Sequence, residues 1–295
     1  MLLWIPTGVT FYKIFQRNYL FSRWPRKPSK SALCRHCIVA SLSRVFIGDS
    51  PEKATSNHFR NINSGIILYL EEEETQHLKA RRVRENEALE VFDGSGYVGR
   101  AVFLGFSKDN QRSAKILIRS WTPVEAEEHV KLTIGVGVPK GKRGDWLVEK
   151  LTEVGVDSLI PVRYERTNYE PSVVDRGKQQ RWRKVCIAAC KQCCRNNLML
   201  IESEQSFRDI MWKQQSTKHW DKVYVASTTA PFLSSVPQMK PTKVLGLIGP
   251  EGGLTPEEEQ TVSDLGANFV KLNRYTLRVE TAATVLASLI FSNVS

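Results

Sequence analysis

Residues 247–260 read LIGPEGGLTPEEEQ. The run that leads into them, VLGLIG (244–249), is apolar and of strand length. Behind it a helix begins. Thr255 has the chemistry of an N-cap, Pro256 suits the first helical position, and Glu258 three residues past the cap completes a capping box. Between strand and helix lie Gly249, Pro250, Glu251, Gly252 and Gly253. Glycines at such a junction commonly bring backbone close to a phosphate. This loop instead carries a carboxylate and no Lys or Arg, so it suits a cationic or neutral hydrogen-bonding ligand. Strand, glycine turn and helix together predict an α/β fold whose ligands collect beyond the carboxyl ends of the strands.

The surrounding chain repeats the pattern. KLTIGVGV (131–138) is a predicted strand, and Asp145 is expected to cap a helix over WLVEKLTEV (146–154). Leu147, Val148, Leu151 and Val154 give that helix one apolar stripe, and Gly155 ends it. DSLIPVRY (157–164) is a strand, KQQRWRKVCIAACKQCC (178–194) a long helix, and KVYVAS (222–227) and KVLGLIG (243–249) are strands. PEEEQTVSDL (256–265) is a helix, ANFVKLN (267–273) a strand, and a last helix starts near Glu280 with Ala282, Val285, Leu286, Leu289 and Ile290 on one face. Such alternation implies a mostly parallel sheet covered by helices.

Upstream the texture differs. SRVFI, GIILYL, EALEVFDG, YVGRAVFLGF and AKILIRSW, between residues 43 and 121, are short strands separated by turn residues. Their spacing predicts a small antiparallel barrel, interrupted by a basic helical insert, ETQHLKARRVREN (74–86). WTPVEAEEH (121–129) reads as a linker, which divides the chain into domains at 43–122 and 126–295.

The net charge of +11 invites a nucleic-acid reading, but its distribution matters more. Residues 1–44 hold eight basic residues and no acid, and the rest of the chain has 34 basic against 31 acidic residues. The charge therefore belongs mainly to a leader. Rich in Arg, Lys, Ser and aromatics, residues 1–42 have the composition of an organelle transit peptide, mitochondrial or chloroplast. No stretch reaches the length of a membrane span.

Several motifs lead nowhere. Gly94, Gly96 and Gly99 spell G-x-G-x-x-G, but a strand follows where a nucleotide site needs a helix, and Asp93-Gly94 is a hairpin signal. GVGVPKGKRGD (135–145) misses the phosphate-loop spacing and has Arg143 where a magnesium-binding hydroxyl should stand. Hydrolase templates are absent too. Cys34 and Cys37 form a C-x-x-C with no second ligand pair nearby. Cys186, Cys190, Cys193 and Cys194 fall on one helical face, where four collinear thiols suit packing better than a metal, and no metal site is expected.

The GPEGG loop and LNRYTLRVETAA (272–283) each follow a strand and precede a helix, and two such junctions, each with a Glu, would share one pocket. IGPEGGLTPEEE followed by LNRYTLRVETA resembles the RsmE family of ribosomal RNA methyltransferases, members of the knotted SPOUT class. PKGKRGDWLVEKLTEVGVDSLIPVRYERT, IAACKQCCRN and QHLKARRVRENEALEVFDGSG are similar to further blocks of the same family, so the resemblance runs over residues 43–291.

The resemblance implies a parallel sheet with a C-terminal trefoil knot, a PUA-like N-terminal barrel and a homodimer. It also implies S-adenosylmethionine as methyl donor and N3 of a uridine in small-subunit ribosomal RNA as acceptor. The implied cofactor-binding positions are Leu247, Ile248, Gly249, Pro250, Glu251, Gly252 and Gly253, then Leu272, Asn273, Leu277, Arg278, Thr281 and Ala282. Glu251, Arg278 and Glu280 are the catalytic candidates: a carboxylate to take the N3 proton, an arginine to balance charge on the uracil oxygens. RNA contacts are expected from His77, Lys79, Arg81, Arg82 and Arg84 on the insert, and from Arg163, Arg166 and Arg195.

The chain departs from the family pattern at Asn273, Tyr275, Val279, Lys191 and Cys194, which stand where Gly, Arg, Thr, Glu and Gly are usual. Two other readings stay open: a SPOUT enzyme acting elsewhere, such as ribose 2′-O, and a catalytically silent RNA-binding protein of the same fold.

Overall fold

The computed structural model describes residues 42–48, 65–107, 113–124, 130–167, 174, 176–232 and 242–292. Cys34, Cys37, the expected leader up to residue 41 and residues 125–129 of the expected linker lie outside them.

The N-terminal part comprises β1 (Ser43–Phe46), β2 (Ile67–Tyr69), α1 (Glu72–Ala80), β3 (Ala88–Phe92), β4 (Tyr97–Phe106) and β5 (Ala114–Pro123). The strands order β1-β3-β4-β5-β2. Period-2 alternation buries Ala101 and Phe103 of β4 against Ala114, Ile116 and Ile118 of β5, with Leu78 of α1 in the same cluster. The sheet is not wholly antiparallel as expected, because β1 runs parallel to β3. Among the described residues its ladder ends at β1 and β2 without a closing pair. The helical insert is shorter than predicted, stopping where Arg82 takes φ 54°. Trp121 to Pro123, expected in the linker, continue β5.

The glycine run at 94–99 is a hairpin, as read. Asp93 Oδ1 accepts from the backbone N–H of Ser95 at 2.8 Å and of Tyr97 at 3.1 Å. The tip also docks: Leu198 N–H donates to Gly94 O at 2.9 Å, and Gly94 and Ser95 bridge to Asn197.

The C-terminal part comprises β6 (Lys131–Val136), α2 (Lys142–Val154), β7 (Ser158–Arg163), α3 (Arg176–Cys193), β8 (Leu200–Ile201), β9 (Gln205–Ser206) and α4 (Phe207–Thr217). It continues through β10 (Lys222–Ala226), β11 (Lys243–Ile248), α5 (Pro256–Asp264), β12 (Asn268–Val270) and α6 (Val279–Ser292). The sheet orders β12-β10-β11-β6-β7-β8, every pair parallel, with β9 beside β7. This is the expected helix-covered parallel sheet. β8, β9 and α4 were not anticipated.

One core lies under α2, α3 and α6 and the other under α4 and α5. Leu147, Val148 and Leu151 of α2 are fully buried in the first, each contributing about 1.5–3 kcal/mol. The start of α2 corrects the expected cap. The helix begins at Lys142 behind Gly141, which places Asp145 inside the first turn, where it pairs with Arg181.

The cysteine reading also needs correction. Cys186 and Cys190 are buried, and burial pushes the Cys190 thiol up to about 12. Cys193 is half-buried, and Cys194 lies beyond the helix end, exposed and at φ 61°. The chain must turn there to deliver Arg195 and Asn196 to the N-terminal sheet, so the fourth thiol leaves the face.

Arg44 makes that junction. Its Nη1 donates to Cys190 O at 2.7 Å and Arg195 O at 3.2 Å, and Nη2 donates to Asn196 Oδ1. Nε lies 2.7 Å from Glu90 Oε1, a close charge contact rather than a directed hydrogen bond, and the guanidinium stacks 4.4 Å above Phe92. Beside it Lys191 pairs with Glu74 at 2.6 Å. Burial pushes the Glu74 carboxyl up, against the pull of Lys191.

Candidate active site

Strand order reverses around β6 and β11. The chain runs from β6 outward through β7 and β8, then returns to lay β11 against the other side of β6. Crevices at such a reversal, beyond the strand ends, are where open α/β sheets bind ligands. The ends of β6 and β11 are tied by Gly137 N–H donating to Ile248 O at 3.1 Å. A Cβ on Gly137 would stand 3.1 Å from Pro250 Cα, so the glycine permits the two loops to touch.

Three strand-to-helix junctions converge there. Glu251 comes from the loop between β11 and α5, Glu280 from the first turn of α6, and Arg143 from the first turn of α2. Arg143 Nη2 donates to Glu251 Oε1 at 3.2 Å, and its Nη1 lies 3.9 Å from Glu280 Oε2. The carboxylates differ in setting. The Glu251 side chain is 54% exposed, the Glu280 side chain 8%, and Glu280 Oε2 has no hydrogen-bond partner among the described residues. A buried carboxylate oxygen without a donor is costly unless a ligand supplies one.

Arg143 is the member of this cluster that sequence reasoning did not single out as a site residue. It was visible only as a defect in a phosphate loop, whereas it is the cation that holds the two predicted glutamates together.

The GPEGG loop is shaped from both ends. Thr255 Oγ1 accepts from Glu258 N–H at 3.2 Å and Glu258 Oε2 accepts from Thr255 N–H at 2.9 Å, the capping box that was read from sequence. Arg166 Nη1 donates to Gly252 O at 3.1 Å and Leu254 O at 2.9 Å. Gly253 sits at φ 70° with no atom near its absent side chain, a conformation that excludes most residues. Gly252 and Gly253 are exposed, so backbone is open to a ligand beside an anionic side chain. That donor set fits S-adenosylmethionine, a cation with many hydrogen-bonding groups, better than a phosphate.

The other predicted positions spread around this centre. Ile248, Pro250 and Ala282 are buried beneath the loops, and Gly249 and Thr281 are half-buried. Leu247 lies behind them, its backbone paired with Gly135 and Val225 and its side chain in the core. Leu272 and Leu277 pack partly against the first core, while Asn273 and Arg278 are exposed. Arg278 makes no side-chain ion pair or hydrogen bond among the described residues and is not drawn into the Arg143 cluster. Asn273, which stands where the family usually has Gly, is not among the positive-φ residues, so its backbone geometry does not call for a glycine. A cavity of about 730 Å³ between α4 and α5, lined by Phe207, Trp212, Glu257 and Asp264 among others, includes none of Arg143, Glu251 and Glu280.

The predicted RNA contacts separate by environment. Arg82 and Arg84 are exposed on the turn after α1. Arg81 Nε donates to Ser43 Oγ at 3.0 Å, Lys79 lies over the Phe106 ring, and Arg163 pairs with Glu204 at 3.3 Å. Arg195 Nη1 donates to Thr152 O at 3.1 Å, which ties it internally. Burial, then Lys191 and Arg81, hold the His77 imidazole down at about 4, so His77 brings no charge to RNA at neutral pH.

Residues 126–291 match the family model described as RNA methyltransferase domain. The chain is 28% identical over 222 residues to ribosomal RNA small subunit methyltransferase E of Bacillus subtilis strain 168, covering 71% of this chain and 84% of that one. Its fold resembles a ribosomal RNA small subunit methyltransferase E from Neisseria gonorrhoeae solved with bound S-adenosyl methionine. The TM-score is 0.69 at 24% identity, over 84% of this chain and 95% of that one. It also resembles the putative methyltransferase Lpg2936 from Legionella pneumophila, solved with the same cofactor, with TM-score 0.70 at 24% identity over 85% and 97% of the two chains. Among the described residues no helix is long and apolar enough to cross a membrane, and no group of His, Cys, Asp and Glu is placed to hold a metal.

Proposed function

The chain belongs to the RNA methyltransferase family, and from that membership we propose that it methylates N3 of a uridine in small-subunit ribosomal RNA with S-adenosylmethionine as donor. The Arg143–Glu251–Glu280 cluster at the convergence of three strand ends carries the reading.

The cofactor supplies an electrophilic methyl group on a sulfonium cation. Backbone of residues 249–253, with Leu272, Asn273 and Leu277, would hold it. The N3 atom of uracil bears a proton that must leave before nitrogen can attack. Glu280 is the carboxylate suited to accept it: buried, anchored on a helix, and with one oxygen lacking a donor. Arg143 lies beside that carboxylate and is itself half-exposed, so it also faces charge developing on the uracil oxygens. Arg278, exposed at the mouth of the same helix, adds a second positive charge. Glu251 orients Arg143 from the solvent side.

The wider architecture follows the same reading. β12 lies outside β10, yet the next helix, α6, packs on the core beneath β6 and β11, a return that supports a trefoil knot in residues 126–295. Residues 43–122 serve as a PUA-like RNA-holding module, supported by the exposed Arg82 and Arg84. The acid-free basic segment at 1–42 supports delivery to an organelle. The homodimer rests on the RsmE resemblance.

The test is transfer of tritium from labelled S-adenosylmethionine into unmodified small-subunit rRNA, followed by mass spectrometry of the nucleosides. N3-methyluridine is the expected product. A 2′-O-methylated nucleoside would move the activity to ribose. No transfer despite tight cofactor and RNA binding would make the protein a silent binder.

A further inference from the structure

The loop between β12 and α6 carries Asn273, Arg274, Tyr275 and Thr276, all exposed. Tyr275 is 71% exposed, the highest value for any large apolar side chain among the described residues. An aromatic ring left in water costs hydrophobic free energy, so a loop that retains one at the mouth of a site holds it for something that arrives. The ring does not pack into the body of the protein. Its recorded partner is the Arg274 guanidinium, 5.6 Å from the ring centroid. Asn273 Oδ1, 3.4 Å from Tyr275 N, marks a turn that carries the ring outward. Three residues on, Arg278 is exposed, and two residues further Glu280 is buried in the cluster described above.

A flat exposed ring with one arginine beside it and a second exposed arginine three residues on is a surface that suits single-stranded RNA: bases stack on the ring and phosphates meet the cations. The reaction itself calls for such a surface. N3 lies on the pairing edge of uracil, so the target must be unpaired when it reacts, and unpairing removes stacking from the bases around it. We propose that Tyr275 is a stacking platform for an unpaired base of the rRNA strand that carries the target uridine, with Arg274 and Arg278 holding the adjoining phosphates. Tyr275 thereby replaces in the complex the stacking lost from the RNA. This inference rests on the RNA methyltransferase reading.

Steady-state methylation of unmodified small ribosomal subunits with tritiated S-adenosylmethionine tests it, together with the cofactor Kd of each variant. Loss of one base–aromatic stack weakens binding by about ten-fold or more. Tyr275→Ala is therefore expected to raise KM for the subunits by about that factor, while its cofactor Kd stays within about two-fold of wild type. Tyr275→Phe and Tyr275→Trp, which keep a ring, are expected to restore KM. Three results would overturn the proposal: an alanine variant with wild-type KM, a phenylalanine variant as impaired as alanine, or a cofactor Kd that rises with KM. If the wild-type protein transfers no methyl group while binding cofactor, the underlying reading fails and this inference falls with it.

Discussion

The Arg143 guanidinium lies 3.9 Å from the buried Oε2 of Glu280, across a gap bridged by no hydrogen bond. The cation stands beside the carboxylate without occupying that oxygen. Removing the cation strands a buried carboxylate. Arg143→Ala is expected to cut methyl transfer by about 100-fold and to lower stability by about 1–3 kcal/mol. Arg143→Lys should recover stability more than rate, because one ammonium does not span both carboxylates. Single-turnover transfer and thermal unfolding measure the two effects.

The two glutamates should respond differently to amidation. Glu251 is largely solvated in a loop, so Glu251→Gln is expected to keep the melting temperature and reduce turnover modestly. Glu280 is the proton acceptor of the proposed mechanism, so Glu280→Gln should abolish turnover while the protein stays folded. Equal rates in the two variants would exchange or erase these roles.

Arg44 is 5% exposed at its side chain and Glu90 8%. Arg44→Ala leaves the buried Glu90 carboxylate with only Arg100, 3.9 Å away, and takes a donor from Cys190 O, Arg195 O and Asn196 Oδ1, a loss of about 3–5 kcal/mol. Adding Glu90→Ala should return part of it. A urea midpoint that is unmoved by Arg44→Ala would mean that the junction is not under load.

His77 gives a pH signature. Its imidazole is held near 4 in the fold against 6.5 as its ordinary value, chiefly by burial and then by Lys191 and Arg81. The unfolded chain therefore binds a proton more readily between those values. The stability that this group contributes is full above pH 6.5 and is lost as pH falls toward 4. His77→Gln is expected to flatten that limb of the melting-temperature profile relative to wild type, and parallel profiles for the two proteins would refute the assignment.

Thr255→Ala removes the cap of α5 and is expected to cost about 1 kcal/mol. In a chain of this size that is a fall of roughly 2–4 °C in melting temperature. Because the same residue ends the GPEGG loop, cofactor affinity should weaken with it, as isothermal titration would register.

The sequence disclosed what is local. Thr255, Pro256 and Glu258 lie within four positions, so cap chemistry located both the α5 start and the loop before it. The alternation of strand and helix after Lys131 carried the parallel sheet. What escaped was long-range or directional. Arg143 meets Glu251 across 108 positions, and periodicity gives no hint of such a partner. The direction of β1 beside β3 is invisible for the same reason, since alternation is identical in parallel and antiparallel strands. Cys194 shows a third kind of limit. Spacing placed it on a helical face, but the helix stops one residue before it, at a bend imposed by what Arg195 and Asn196 must reach.

That bend and the Gly94 hairpin clamp the two halves at neighbouring points, through Arg44 on one side and Leu198 on the other. Two fixings prevent rotation where one would allow it. The molecule therefore acts as a caliper with its jaws set in advance. On the function proposed above, an RNA that touches both halves would have to present its contacts at that fixed span.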